Sequence, residues 1–360
     1  MSTYGFEAEF MSGARALIAT LHREGWSSMD TLHDWHCIQR RGPCDHCGFD
    51  GPNAQGYRGQ TDSSCDGEII SPVFGRPDTN DDFFLEATNA LQEAAVEVDA
   101  EPGQTAGMHV HVQPNNSDTF YPLTWEFVRW EEVLKVLAAG PFPGHRAGMN
   151  QDVATHAQTW WEMYGRDMTG SSHPSLSQAM QGYATGTAPA LSVMQRLYRH
   201  INDADRHANL NFSETHGTAE FRIWNSSRTA WRMRLYAGVT RLFADPEFLS
   251  AVSRVELDGT GDRYRFIPNV EANLPKLIEV IDSHDSATAE LVVRQQEFQS
   301  RGEFARRFSD VPNGENRTAQ IRARRNQARR SRTAAASPVY QVEGGITNTT
   351  WNSIQSSTNR

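Results

Sequence analysis

Residues 4–11 alternate, with Phe6, Ala8 and Phe10 on one parity and Glu7 and Glu9 on the other, and that period of two predicts a strand. The period then changes. Over 12–24 the apolar set is Ala14, Leu17, Ile18 and Leu21, one face of a helix. A second helix is expected over 82–98, with Phe84, Ala87, Leu91 and Ala95 inward, and a strand over 107–113. An apolar helix over 125–139 is closed by Gly140-Pro141, a stop signal. Further helices are expected over 188–204 and 231–243, and a strand over 218–224. Strands and helices do not alternate as βαβ units and no short-period repeat occurs. The expected class is therefore α+β: a mainly antiparallel sheet with helices packed on one side.

Composition divides the 360-residue chain into two regions. A body over 1–309 carries the patterned segments and the aromatic residues. From 310 to 360 large apolar residues thin out, and 316–342 hold seven arginines with no acid or lysine. Such a tail lacks an apolar face to dock and is expected to be mostly disordered. Its chemistry suits a solvated charge run, or an arm contacting nucleic acid or the acidic body, since the net charge is −10. No run of about 18 apolar residues exists, so no membrane partner is expected. The first residues lack the charged and apolar regions of a secretory signal, which leads us to expect a cytoplasmic, unsecreted protein.

Only Lys135 and Lys276 are lysines, and neither lies in a glycine-rich phosphate loop. Any bound nucleotide would depend on arginines and metal. The ionisable residues fall into a pattern that suits this. Glu7 and Glu9 stand at i and i+2, as do His109 and His111, and Glu220 and Arg222, each pair separated by an apolar residue. Side chains at i and i+2 share one face of a strand. Each strand thus has a core face and an ionisable face, and Glu68 opens a further apolar run, Ile69-Ile70. If the strands are neighbours, these carboxylates and imidazoles converge, and a divalent cation, Mg²⁺ or Mn²⁺, is the natural neutraliser.

Cys37, Cys44, Cys47 and Cys65 are the four cysteines, all within an insert over 33–66. Cys44-Asp-His-Cys47 is a C-x-x-C, and in a cytosolic chain the cluster favours a structural Zn²⁺ over disulfides. That ion would pin the insert so that Asp62 and Glu68 reach the sheet. The stretch over 165–187, rich in Gly, Ser and Thr, suits a mobile loop closing over a substrate.

The segments Tyr4-Gly-Phe-Glu-Ala-Glu-Phe10, Asp62-Ser-Ser, Gly67-Glu-Ile-Ile-Ser-Pro72, Gly107-Met-His-Val-His-Val112, Arg206-His-Ala-Asn-Leu-Asn211 and Thr218-Ala-Glu-Phe-Arg-Ile223 occur in that order. In content and order they resemble the amidoligase family of the carboxylate–amine ligases, over roughly residues 4–245. The resemblance implies a glutamine-synthetase-like catalytic domain that uses ATP to phosphorylate a carboxylate, which an amine then attacks to form an amide. It implies Glu7, Glu9, Glu68 and Glu220 as metal ligands, and His109 and His111 at metal, nucleotide or substrate. It further implies Arg222 at the γ-phosphate, and Arg206 at phosphate or a substrate carboxylate. The expected partners are small-molecule or peptide carboxylates and amines. Two other readings stay open. One is a metal hydrolase using His109 and His111; the other is a non-catalytic accessory protein of a phage, whose GC-rich host the arginine bias would suit.

Overall fold

The structure is a computed structural model that describes residues 2–34, 56–62, 65–75, 81–102, 106–115, 119–139, 209–213, 217–260 and 267–300. Six antiparallel strands form the main sheet. They are β1 (Thr3–Phe10), β2 (Arg58–Gln60), β3 (Gly67–Ile70), β4 (Gly107–Gln113), β5 (Leu210–Ser213) and β6 (Thr218–Asn225), in the order β2-β3-β1-β4-β6-β5. The strand richest in carboxylates, β1, lies between β3 and β4 near the centre. A two-stranded ribbon, Gly259–Thr260 with Ile267–Pro268, stands apart from this sheet. The expected α+β class and antiparallel pairing hold.

One face of the sheet is the core. Phe6, Ala8, Phe10, Ile69, Met108, Val110, Ala219 and Phe221 are buried on it. Helix α1 (Ala14–Arg23) covers the β2–β3 end by burying the expected stripe Ala14, Leu17, Ile18 and Leu21. Helix α2 (Asp81–Glu97) buries Ala87, Leu91 and Ala95. Helix α3 (Phe120–Ala139) begins five residues earlier than its apolar pattern suggests and sets Phe127 edge-on to Phe221, ring centroids 5.2 Å apart. Helix α4 (Ala230–Leu242) stacks Tyr236 on Trp224 at 4.8 Å, and the Trp224 indole donates to Thr240 Oγ1 at 3.0 Å. Each such aromatic pair adds about 1 kcal/mol beyond its burial.

Three further helices were not foreseen from periodicity: α5 (Pro246–Ser253), α6 (Val270–His284) and α7 (Ser286–Ser300). Two of their starts carry readable signals. Asp245 accepts from the backbone N–H groups of Glu247 and Phe248 ahead of Pro246, and Asn269 accepts from that of Ala272. Among the described residues no helix is long and apolar enough to cross a membrane. The expected helix over 188–204, the loop over 165–187 and the tail over 310–360 lie outside the described residues, as do Cys37, Cys44, Cys47 and Arg206.

Candidate functional site

The other face of the sheet gathers the ionisable residues, because strand register lines them up in three rows. In the first, Gln60 of β2 lies opposite Glu68 of β3, and Glu68 opposite Glu9 of β1. The second runs Arg58, Ile70, Glu7 and His109. The third runs Gly5, His111, Glu220 and Asn211. All three i, i+2 pairs read from the sequence therefore lie side by side, with Glu68 among them.

A bulge in β6 aims the last of these residues. Val110 lies opposite Phe221 and Met108 opposite Trp224, so two steps along β4 meet three along β6. The extra residue sits beside His109. It leaves Arg222 on the ionisable face and returns Trp224 to the core.

His109, 2% exposed, stands amid three carboxylates. Its Nδ1 is 3.5 Å from Glu7 Oε2 and 3.4 Å from Glu220 Oε1, and its Nε2 is 3.3 Å from Glu9 Oε1. His111 Nε2 is 3.6 Å from Glu7 Oε1, and its Nδ1 lies 3.3 Å from Thr218 Oγ1. Despite these distances, neither Nε2 has an aligned hydrogen-bond partner among the described residues. Buried ring nitrogens left this way are uncommon and need a reason. Divalent-metal coordination supplies one, because neighbouring ligands on an octahedral ion with bonds of about 2.1 Å lie about 3 Å apart.

Two trios have the geometry to hold an ion. Glu7, Glu68 and His109 form one, and Glu7, His111 and Glu220 the other, with the ligand atoms of each trio within 4.8 Å of one another. Glu7 belongs to both. Glu9 is in neither trio; its Oε2 accepts the Gly107 N–H at 2.6 Å and its Oε1 lies 3.3 Å from His109 Nε2. One carboxylate oxygen of Glu9 is thus engaged by the backbone, while the other faces the His109 ring.

The electrostatics are those of an acidic site short of cations. Burial drives Glu68 up, and the charges of Glu7, Glu9 and Asp62 push it to about 9, against a weaker pull from Arg222. Without a cation, Glu68 is thus biased toward its protonated form. Burial would raise Glu220 too, but Arg222, His111 and His109 outweigh it and hold that carboxylate at about 2. Glu7 likewise lies well below the ordinary range, burial being overcome chiefly by the charge of His111 and by the closeness of both imidazoles. His111 is raised in turn, burial losing to Glu7 and Glu220. Arg222 donates to Glu220 Oε1 at 2.6 Å, and Asn211 Nδ2 donates to its Oε2 at 3.0 Å.

Cys65, the described member of the cysteine set, is half-buried close to this site. Burial, then Glu9, Glu68 and Asp62, push its thiol up to about 12.

Sequence reasoning missed Arg58 and Gln60. They repeat the i, i+2 pattern, but Gly59 fills the core-facing position between them, so no apolar residue marks β2. A side chain there would meet Leu32 Cδ2 at 2.8 Å and Ile18 Cγ1 at 3.0 Å. Close packing of α1 on β2 requires the glycine, and the glycine hides the strand.

No protein-family model matches the chain, and no curated protein is similar enough to count as a relative.

Proposed function

We propose that the protein is an ATP-dependent carboxylate–amine ligase acting through an acyl phosphate with divalent metal. The observation that carries this reading is Glu7, shared between two ligand trios on one sheet face with an arginine at the edge of one of them. Glu7, Glu68 and His109 would hold one Mg²⁺ or Mn²⁺, and Glu7, His111 and Glu220 a second. The ions would neutralise a triphosphate that the chain has no lysine loop to grip.

The rest falls to the chain itself. Arg222, anchored on Glu220, places a fixed positive charge beside the second trio, where charge builds on a transferring phosphoryl group. Glu9, tied to the Gly107 N–H through Oε2, would offer its Oε1, 3.3 Å from His109 Nε2, as a further ligand. The substrate carboxylate oxygen would attack the γ-phosphorus and release ADP. The amine nitrogen would then attack the acyl carbon, expelling phosphate and losing a proton. The motif order 4–245 supports this chemistry over metal-assisted hydrolysis, which needs no nucleotide.

Calorimetric titration of ATP with and without Mg²⁺ tests the reading. Magnesium-dependent binding that is lost in Arg222→Ala is the expected outcome. Absence of nucleotide binding with either Mg²⁺ or Mn²⁺ would refute the ligase and leave the hydrolase reading in its place.

A further inference from the structure

Arg58 stands apart from the residues assigned above. It occupies the edge strand β2, in the same row as Glu7, with Ile70 between them. Two strand spacings, about 10 Å of backbone, separate it from Glu7. Burial lowers the Arg58 pKa, and Glu7 is close enough to oppose part of that effect. No carboxylate pairs with the Arg58 guanidinium and no hydrogen bond satisfies it among the described residues. A guanidinium carries a planar fork of N–H donors, and here that fork is open to a ligand. Here it borders an open cleft of about 90 Å³ whose lining includes Thr3, Glu7, Ile70, Val73, His111 and Thr218.

We propose that Arg58 is the binding residue for a non-reacting carboxylate of the substrate, and so helps set which acid the site accepts; the role in catalysis rests on the ligase reading above. The guanidinium fork matches a planar carboxylate in bidentate fashion. The cleft has room for several water-sized groups. Ile70 and Val73 offer an apolar wall for an aliphatic stem, and the Thr3 and Thr218 hydroxyls add polar contacts. Ionised Glu7 nearby repels a dianion more than a monoanion, which favours carboxylate over phosphate at this position. Arg58 and Arg222 lie on strands four spacings apart, about 19 Å of backbone, and Arg222 is already held by Glu220. The site therefore has two anion poles, one at each side of the metal-ligating rows.

The test is calorimetric titration of the full chain with glutarate, butyrate, inorganic phosphate and Mg²⁺-ATP, using wild type, Arg58→Gln and Arg58→Lys. Glutarate should bind wild type and weaken about tenfold or more in Arg58→Gln, the worth of a charge-assisted pair. Arg58→Lys keeps the charge but loses the fork, so it should weaken glutarate by a smaller factor and guards against a folding defect in the neutral variant. Mg²⁺-ATP affinity should be equal in all three proteins. Equal glutarate binding by all three, no saturable glutarate binding by wild type, or tighter Arg58-dependent binding of phosphate than of glutarate would overturn the proposal. Arg58-dependent glutarate binding without any nucleotide binding would uphold the carboxylate site and refute the ligase reading alone.

Discussion

Glu68 is the carboxyl group whose behaviour the site's geometry constrains most sharply. It is 6% exposed, its Oε2 accepts from Gln60 Nε2 at 3.0 Å, and its pKa is raised to about 9 by burial and three neighbouring acids. Unfolding returns it to the ordinary carboxylate range. Between those limits the folded chain holds a proton that the unfolded chain releases, so metal-free stability must fall as pH rises through that window. One proton corresponds to about 1.4 kcal/mol per pH unit, or at most roughly 4 kcal/mol between about pH 5 and pH 8. Water entry and relaxation of the neighbouring acids should bring the measured figure nearer to 2 kcal/mol. Glu68→Gln keeps the shape and the Gln60 contact but cannot ionise. Its urea unfolding in a metal chelator should therefore match wild type near pH 5 and exceed it by about 2 kcal/mol near pH 8. The same variant should lose metal affinity, because a ligand of the Glu7–Glu68–His109 trio is gone. Parallel stability profiles for the two proteins would refute the claim that Glu68 is protonated in the empty site.

Three other outcomes can be checked directly. Glu220→Gln should fold normally by circular dichroism yet lose more metal affinity than the roughly 100-fold that loss of a supporting group costs, because it is a proposed ligand and also holds Arg222. Stoichiometric zinc should survive gel filtration of the full chain and vanish in Cys44→Ser/Cys47→Ser, read by atomic absorption. Gly56→Ala should destabilise by about 3 kcal/mol or more in urea unfolding, since φ is +73° and the new Cβ would lie 2.1 Å from the Trp26 carbonyl oxygen.

Much of the sheet could be read from the chain because each main strand carries two kinds of face. Phe6, Ala8 and Phe10 against Glu7 and Glu9, or Met108, Val110 and Val112 against His109 and His111, announce both a strand and its orientation. Register was not legible: nothing in the sequence says that Glu7 lies opposite His109 or that His111 lies opposite Glu220. Those pairings depend on which strands neighbour which, and a short strand such as β2, with glycine at its centre, gives no signal at all. Helices α5 to α7 were missed for a different reason. Their burial is confined to a few positions, such as Leu274, Leu277 and Ile281 in α6, and α6 also carries Pro275. The capping residues Asp245 and Asn269 were the usable clue. The hydrogen bond from the Gly107 N–H to Glu9 likewise needed the fold, since nothing in the sequence brings those two residues together.

The bulge beside His109 also decides what kind of part Arg222 is. Two residues further along β6, Trp224 is clamped by Tyr236 and Thr240, so the strand is fixed immediately after its charged residue. A single-residue deletion at Ile223 would put the strand out of phase and force either the guanidinium into the core or the indole out of it. Arg222 is a fixed post, unable to swing toward a ligand as a finger on a loop would. On the proposed reading a phosphate would have to come to this charge, and a motion closing over it would have to come from segments other than β6.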